Sequence, residues 1–443
     1  MTSKVFRIAI GLSCLLMLSV LASGSQEQTP EIDAAVASRY FAEAAELCRN
    51  DGGKLWGVSL AGPMLFVEPR SRSLVANQAD GGGRLKPQGE VFIGKLPDGV
   101  NIANTATTWA GVKWTMIMWP LPEERRARLR LMAHELFHRV QDQIGLKSKE
   151  VSNRHLDTKD GRIWLILEWR ALERALEESG TARKTALRDA LVFRRYRQTR
   201  FPRAAEEEAS LETQEGLAEY TGLKLSSRTG AELGARAAFA LRQARSSQSF
   251  TRSFAYSSTP GYAALLDQTG TDWRRSFKAG DDLSRRVEQT FGLKVASVSE
   301  TEATARAGDY DGDEVIAAET KRERVRAESI AKYQMKLVDG PVLVLPVAGD
   351  FSYSFNPGNL VTLGDVGTVY PTMRVTDEWG ILEVTDGCLL IRDGGSVKRL
   401  QVAAPASPQT GSLAGPGWTL QLNAGWSIAP GPRSGDFVVQ RQP

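Results

Sequence analysis

"LRLMAHELFHRVQDQIG", residues 129–145, holds two of the three histidines in a chain of 443 residues. Leu129, Met132, Ala133, Leu136, Val140 and Ile144 recur at steps of three and four, which predicts a helix with one apolar stripe. Pro122 suits its first turn, and Glu123 and Glu124 suit the positive end of its dipole. Gly145 is a natural stop. His134 and His138 stand four residues apart, so they share a face one turn from each other.

Imidazoles at that spacing can reach one tetrahedral metal ion. Glu135, a third of a turn away, can face a water at the ion without ligating it. This is the H-E-x-x-H arrangement of zinc peptidases, in which the metal acidifies the water and the glutamate moves its proton. A five-residue pattern also recurs by chance on ordinary helices, and a catalytic zinc needs a third protein ligand. His155, the remaining histidine, sits in polar "VSNRHLDTKDG" (151–161) and reads as surface. A carboxylate is the other source. Glu208, Glu212, Glu215 and Glu219 fall at steps of four, three and four, on one face of a predicted helix. Such spacing is commonly a solvated acidic face. Here, however, Gly216 sits mid-helix, where it costs about 1 kcal/mol relative to Ala, and permits another element to approach closely. Leu217, Ala218 and Tyr220 make the same helix apolar. Glu168, in "WLILEWRALERAL" (164–176), is a second candidate. It could ligate, sit behind a ligand, bind a substrate amine, or pair with Arg170 or Arg174.

"EGLAEY" (215–220) following "HELFH" (134–138) resembles the gluzincin zinc metallopeptidases, the group containing thermolysin and the membrane-alanyl-type aminopeptidases. The resemblance covers roughly residues 107–270. It implies that Glu215 completes the zinc site with His134 and His138, and that Glu135 is the general base. Glu219, four residues on, would steady a ligating histidine, with Glu168 as a further carboxylate behind the site or as the alternative ligand. A tyrosine on a later helix would donate to the oxyanion, Tyr256 ahead of Tyr262 in "FAYSSTPGYAALLD" (254–267). "KWTMIMWPLP" (113–122) would be the edge strand before the metal helix, pairing with extended substrate. This chain departs from the pattern in length: residues 139–214 separate the second histidine from Glu215, so the intervening helices must form an inserted hairpin.

The wider sequence fits an exported two-domain protein. Hydrophobic residues make up 42 % and charged residues 24 % of the chain, enough for an ordinary core. With 56 basic and 52 acidic side chains, the net charge of +4 gives no push toward nucleic acid or anionic membrane. Residues 1–24 carry Lys4 and Arg7, an apolar run to about Leu21, then small residues, the order of a signal peptide cleaved near residues 22–24. That predicts a periplasmic or secreted protein. "LLMLSVL" continues past Cys14, against a lipoprotein site, and no later stretch is long and apolar enough to span a bilayer. Cys48 and Cys388 then remain, either as a disulfide or as two small buried residues.

The expected fold is α+β: a zincin-like domain over residues 25–310, a connecting helix over 311–338, and a β-rich, sandwich-like or barrel-like domain over 339–443. The expected helices cover 30–50, 122–145, about 162–200, "AAEEEASLETQEGLAEYTGLKLSS" (204–227), a stretch starting near Pro260, and about 313–336. "DYDGDE" (309–314) has the wrong glycine position for a calcium loop and reads as a turn and cap. The arginines between Arg183 and Arg203 read as a solvated helix face. Trp379, Trp418 and Trp426 could bind sugar or a partner, or pack a core. The partner implied by the resemblance is a peptide or protein substrate, and oligomeric state is open. The alternatives are a catalytically silent zincin-fold protein that binds through its C-terminal domain, and hydrolysis of another amide.

Overall fold

The computed structural model describes residues 32–442, apart from 148, 150, 296, 350, 356–359, 394, 395 and 407–411. The expected signal peptide, residues 1–24, lies outside the described residues.

Helix α1 (Ala34–Asp51) starts where the Asp33 carboxylate accepts from the amides of Ala35 and Val36. It ends where Gly52 turns left-handed at φ 58°. Six strands follow: β1 (Met64–Val67), β2 (Ser73–Ala76), β3 (Lys86–Gln88), β4 (Val91–Lys95), β5 (Thr105–Trp109) and β6 (Val112–Met118). They form one sheet in the order β3-β4-β2-β1-β6-β5, in which only β1 and β6 pair in parallel. Strand alternation sends Phe66, Val75 and Ile117 to the face packed by Tyr40 and Phe41 of α1 and by Leu129, Met132, Ala133 and Leu136. Leu65, Val67, Leu74, Trp114 and Met116 make a second core on the other face. The strand preceding the helix of residues 134–138, expected to be an edge, is therefore not one. The chain reverses through Ala110 and Gly111, at φ 47° and 77°, so that β5 pairs along β6 and takes the edge.

Helix α2 (Arg125–Gln141) begins three residues later than expected, because Glu124 is its cap. That carboxylate accepts from the amides of Arg126 and Ala127 at 2.8 and 2.6 Å. Residues 139–214 do form the inserted hairpin: a 3-10 turn (Arg154–Asp157), then α3 (Lys159–Glu177) packed against α4 (Gly180–Arg200). The acidic helix is interrupted. α5 (Ala204–Leu211) and α6 (Leu217–Ser226) are joined by a π turn over Glu212–Gly216. Helices α7 (Gly230–Ala244), α8 (Ala255–Asp267), α9 (Leu283–Thr290), α10 (Glu300–Ala307) and α11 (Gly312–Gln334) follow. α8 does not start at Pro260 but encloses it. The proline removes the amide that would bond the Tyr256 carbonyl, yet Thr259, Pro260 and Gly261 are all buried, and packing outweighs the lost bond. "DYDGDE" is a turn with Asp311 left-handed at φ 52° ahead of α11. Among the described residues no helix is long and apolar enough to cross a membrane.

Contacts divide the chain into two compact units, at Asp313 and Glu314. The first is mixed α+β and the second is rich in β-sheet. In the second, the described strands form two sheets. One runs Trp426–Pro430, Phe437–Arg441, Val342–Pro346, Ser396–Ala403, Cys388–Asp393, Gly367–Tyr370, Val361–Leu363. The other runs Ser412–Gly415, Trp418–Leu422, Gly380–Val384, Met373–Asp377, Ser352–Phe355. Leu343, Leu390 and Leu400 of the first meet Val375, Leu382 and Leu420 of the second in one core, a sandwich. Trp379 and Trp418 are inside this core, their indole N–H groups donating to the carbonyls of Pro346 and Ala403. Trp426 is half-buried, with the Arg441 guanidinium 5.2 Å from its ring centre. Cys48 and Cys388 are free and buried. Burial pushes their thiols up to about 11 and about 12.

Candidate metal centre

α2 packs along α6, and Gly222 makes that approach possible: a Cβ there would lie 2.5 Å from the Arg130 carbonyl oxygen. The π turn then changes the phase of the acidic helix. Its four glutamates, one face in a regular helix, split into two groups. Glu208 and Glu212 turn toward α4, whereas Glu215 and Glu219 turn toward α2.

On the α2 side, Nε2 of His134 and Nε2 of His138 are 3.1 Å apart, and Glu215 Oε2 is 3.6 Å from each. Tetrahedral zinc with bonds of 2.0–2.1 Å places its ligand atoms about 3.3–3.4 Å from one another, a value these three separations bracket. His134, His138 and Glu215 are a cluster able to hold a metal ion.

The outer nitrogens are bonded so that the inner ones are the pair left to ligate when an ion replaces the proton. His134 Nδ1 lies 3.2 Å from Glu219 Oε2, and a carboxylate can only accept, so Nδ1 carries hydrogen. His138 Nδ1 lies 3.0 Å from Gln141 Oε1. The Gln141 amide cannot be reversed, because its nitrogen donates to the carbonyls of Thr213 and Gln214, at 2.9 and 3.3 Å. Each imidazole is thus oriented from behind, as metal-ligating histidines are. Gln141 also ties the second histidine to the π turn that carries Glu215.

Charge at the centre is strongly coupled. Burial disfavours imidazolium at His134, but the carboxylates of Glu215 and Glu219 and the charge of Glu135 outweigh it and hold that histidine up at about 10. Burial likewise works against ionised Glu215, yet both histidines and the Tyr256 hydroxyl hold it well below the usual carboxylate range. A proton on His134 or a divalent cation can each supply the positive charge this cluster demands. Glu135 is pushed up, first by burial and further by Glu215 and Glu219, with the two histidines opposing. Its Oε2 is buried and has no hydrogen-bond partner among the described residues. A buried carboxylate oxygen without a donor is costly, and here it sits on the residue next to His134. The donor set and this orphaned oxygen both fit a zinc ion with a water beside it.

Tyr256 stacks on His134, with ring centres 5.7 Å apart and planes 7° from parallel. Its hydroxyl donates to Glu215 Oε2 at 2.6 Å, and Arg252 donates to Oε1 at 3.1 Å. α8 comes this close because residue 216 is glycine: a Cβ there would lie 2.0 Å from Thr259 Oγ1 and 2.5 Å from Thr259 Cβ.

Glu168, Tyr262, His155, Glu208 and Glu212, all weighed from sequence, lie elsewhere. Glu168 is fully buried against Arg194 and Arg197 at 3.3 and 2.6 Å, and accepts from the Tyr262 hydroxyl at 2.9 Å. His155 is not a surface residue: it meets buried Glu208, at 2.9 Å, which also takes both ends of the Arg197 fork. Arg194 forks onto Glu212 at 2.9 and 2.6 Å. The arginine stretch expected to be solvated therefore contributes two wholly buried guanidinium groups, because α3 and α5 bring carboxylates to them. Sequence reasoning missed Gln141, Arg130 and Arg252. Gln141, three residues after His138, carried a signal in its spacing. Arg130 meets Glu219, and Arg252 meets Glu215, only through tertiary packing.

No family model matches the chain, and comparison with curated proteins and with solved structures returns no significant match, so side-chain geometry carries the functional reading.

Proposed function

We propose that this chain is an exported zinc-dependent metallopeptidase of gluzincin type, with His134, His138 and Glu215 as the metal ligands. One observation carries the reading: two imidazole nitrogens and a carboxylate oxygen lie at ligand separation, and the residue next to His134 carries a buried carboxylate oxygen with no partner among the described residues. Bound zinc supplies a Lewis acid that acidifies a water and polarises the scissile carbonyl. Glu135 takes a proton from the attacking water and passes it to the amide nitrogen as the C–N bond breaks. The water's oxygen stays on the acyl carbon and the amine leaves neutral. Glu219 and Gln141 hold the two imidazoles in the ligating tautomer. Tyr256, with its phenol already at the ligand carboxylate, is placed to turn that donor to the oxyanion. The rival reading, a silent protein that binds through its second unit, draws nothing from Trp379 and Trp418, which are core residues.

Zinc-loaded protein should cleave members of a mixed internally quenched peptide set. Glu135→Gln should retain zinc and lose roughly 10²–10⁴-fold in turnover. Undiminished turnover in that variant would overturn the assignment of the base. Export through residues 1–24 is checked by sequencing the N-terminus of the secreted or periplasmic protein, which should begin close to residues 23–25.

A further inference from the structure

The turn before α8 and the first turn of α8 each deliver one side chain to the same carboxylate. Tyr256 takes Oε2 of Glu215, and Arg252, four residues earlier, takes Oε1 through one guanidinium nitrogen at 3.1 Å. A guanidinium has five N–H donors, and the Arg252 side chain is 43 % exposed while Glu215 is 11 % exposed. Arg252 thus reaches from solvent to the buried carboxylate, and no other protein partner for its donors is found among the described residues.

Resting on the metallopeptidase reading, we infer that Arg252 determines specificity, selecting substrates with a carboxylate immediately beside the scissile amide. Geometry supports it: one guanidinium nitrogen of Arg252 is used on Glu215, and the rest of its partly exposed fork is left to take a second carboxylate. With zinc in place, the ion shares the charge of Glu215, and the partly exposed arginine keeps donors for an incoming carboxylate. A planar fork with spare donors is the side chain best suited to a carboxylate. Partial burial keeps the pair from being fully screened. The carboxylate can be the free C-terminus of a peptide cut one residue from its end, or the side chain of Asp or Glu after the scissile bond.

The test uses zinc-loaded full chain and two probes that chelate zinc alike: succinic monohydroxamate, which keeps a free carboxylate, and its neutral amide twin. In calorimetric titration the wild type should bind the carboxylate twin about tenfold or more tightly than the neutral one. The gap should narrow as salt is raised. Arg252→Gln should bring the twins together by weakening the charged one only, and Arg252→Lys should keep part of the gap. Zinc content measured on each variant separates loss of the anchor from loss of the site. Equal binding of the twins by wild type, or a gap that persists in Arg252→Gln, overturns the inference and leaves the metal centre standing. No hydroxamate binding at all overturns the metal-centre reading and the inference with it. Matched peptides then identify the source. Preference for a free acid over a C-terminal amide assigns the chain terminus. Preference for Asp over Asn after the scissile bond assigns the side chain, and neither preference sinks the inference.

Discussion

Gly216→Ala adds one methyl group at the place where the π turn meets α8. Its Cβ would lie 2.0 Å from Thr259 Oγ1, 2.5 Å from Thr259 Cβ and 3.0 Å from the Ala255 carbonyl oxygen. Rotating the threonine relieves the first contact but not the second, because Cβ moves only with the backbone. Carbon atoms pack best at about 3.5–4.0 Å, so α8 and the π turn must separate by about 1 Å. Two effects on stability oppose: alanine gains about 1 kcal/mol of helix propensity, and overpacking costs about 1–3 kcal/mol. The metal-free protein should therefore lose only ~0–2 kcal/mol. Zinc binding should suffer more, since Glu215 is the adjacent residue and a displacement of this size can cost on the order of 100-fold. At free zinc of about 100 times the wild-type Kd, the ion stabilises wild type by about 2.7 kcal/mol. A 100-fold weaker site would gain only about 0.4 kcal/mol. Denaturant unfolding with and without zinc reads both numbers. Thr259→Gly, which removes the opposing Cβ, should restore zinc stabilisation to the Gly216→Ala protein. A single variant that keeps the full zinc increment would refute the view that this close approach positions Glu215.

Gln141→Leu deletes the acceptor for His138 and the donors to Thr213 and Gln214. Zinc affinity, measured by competition with a chelator, should fall about 10–100-fold, with Gln141→Glu intermediate because it keeps the acceptor alone. Arg197→Met removes the cation shared by buried Glu168 and Glu208, and unfolding by denaturant should show a loss of about 3–5 kcal/mol. In a chain starting at residue 25, neither thiol should react with a disulfide reagent near neutral pH while the protein is folded. Both should react once it is unfolded, since burial holds Cys48 at about 11 and Cys388 at about 12.

The α+β first unit, the β-rich second unit and the metal helix were legible because each rests on local periodicity. The stripe from Leu129 to Val140 needs only its own spacing to find the sheet. Glu215 and Glu219 were legible through their chemistry, since glycine and apolar residues beside them made a solvated face a poor reading. Position within the helix was less legible, as the π turn depends on carbonyls that Gln141 satisfies from another helix. The edge assignment failed at β6 because the threonine-rich strand β5 lacks an apolar alternation of its own. The start of α8 was misplaced since proline reads locally as a boundary, while burial of its neighbours is a tertiary fact. Buried Arg194 and Arg197 were invisible for the same reason. A basic run looks solvated until the carboxylates of α3 and α5 are brought against it.

The most direct test of the account is zinc stoichiometry in the purified chain from residue 25. Wild type, His138→Ala, Glu215→Ala and Glu168→Gln would be compared after zinc is supplied and excess removed. The account predicts about one zinc per chain in wild type and in Glu168→Gln, and almost none in the other two. Zinc lost from Glu168→Gln but retained by Glu215→Ala would contradict the ligand set. Wild-type protein that retains no stoichiometric zinc would contradict the metal centre itself.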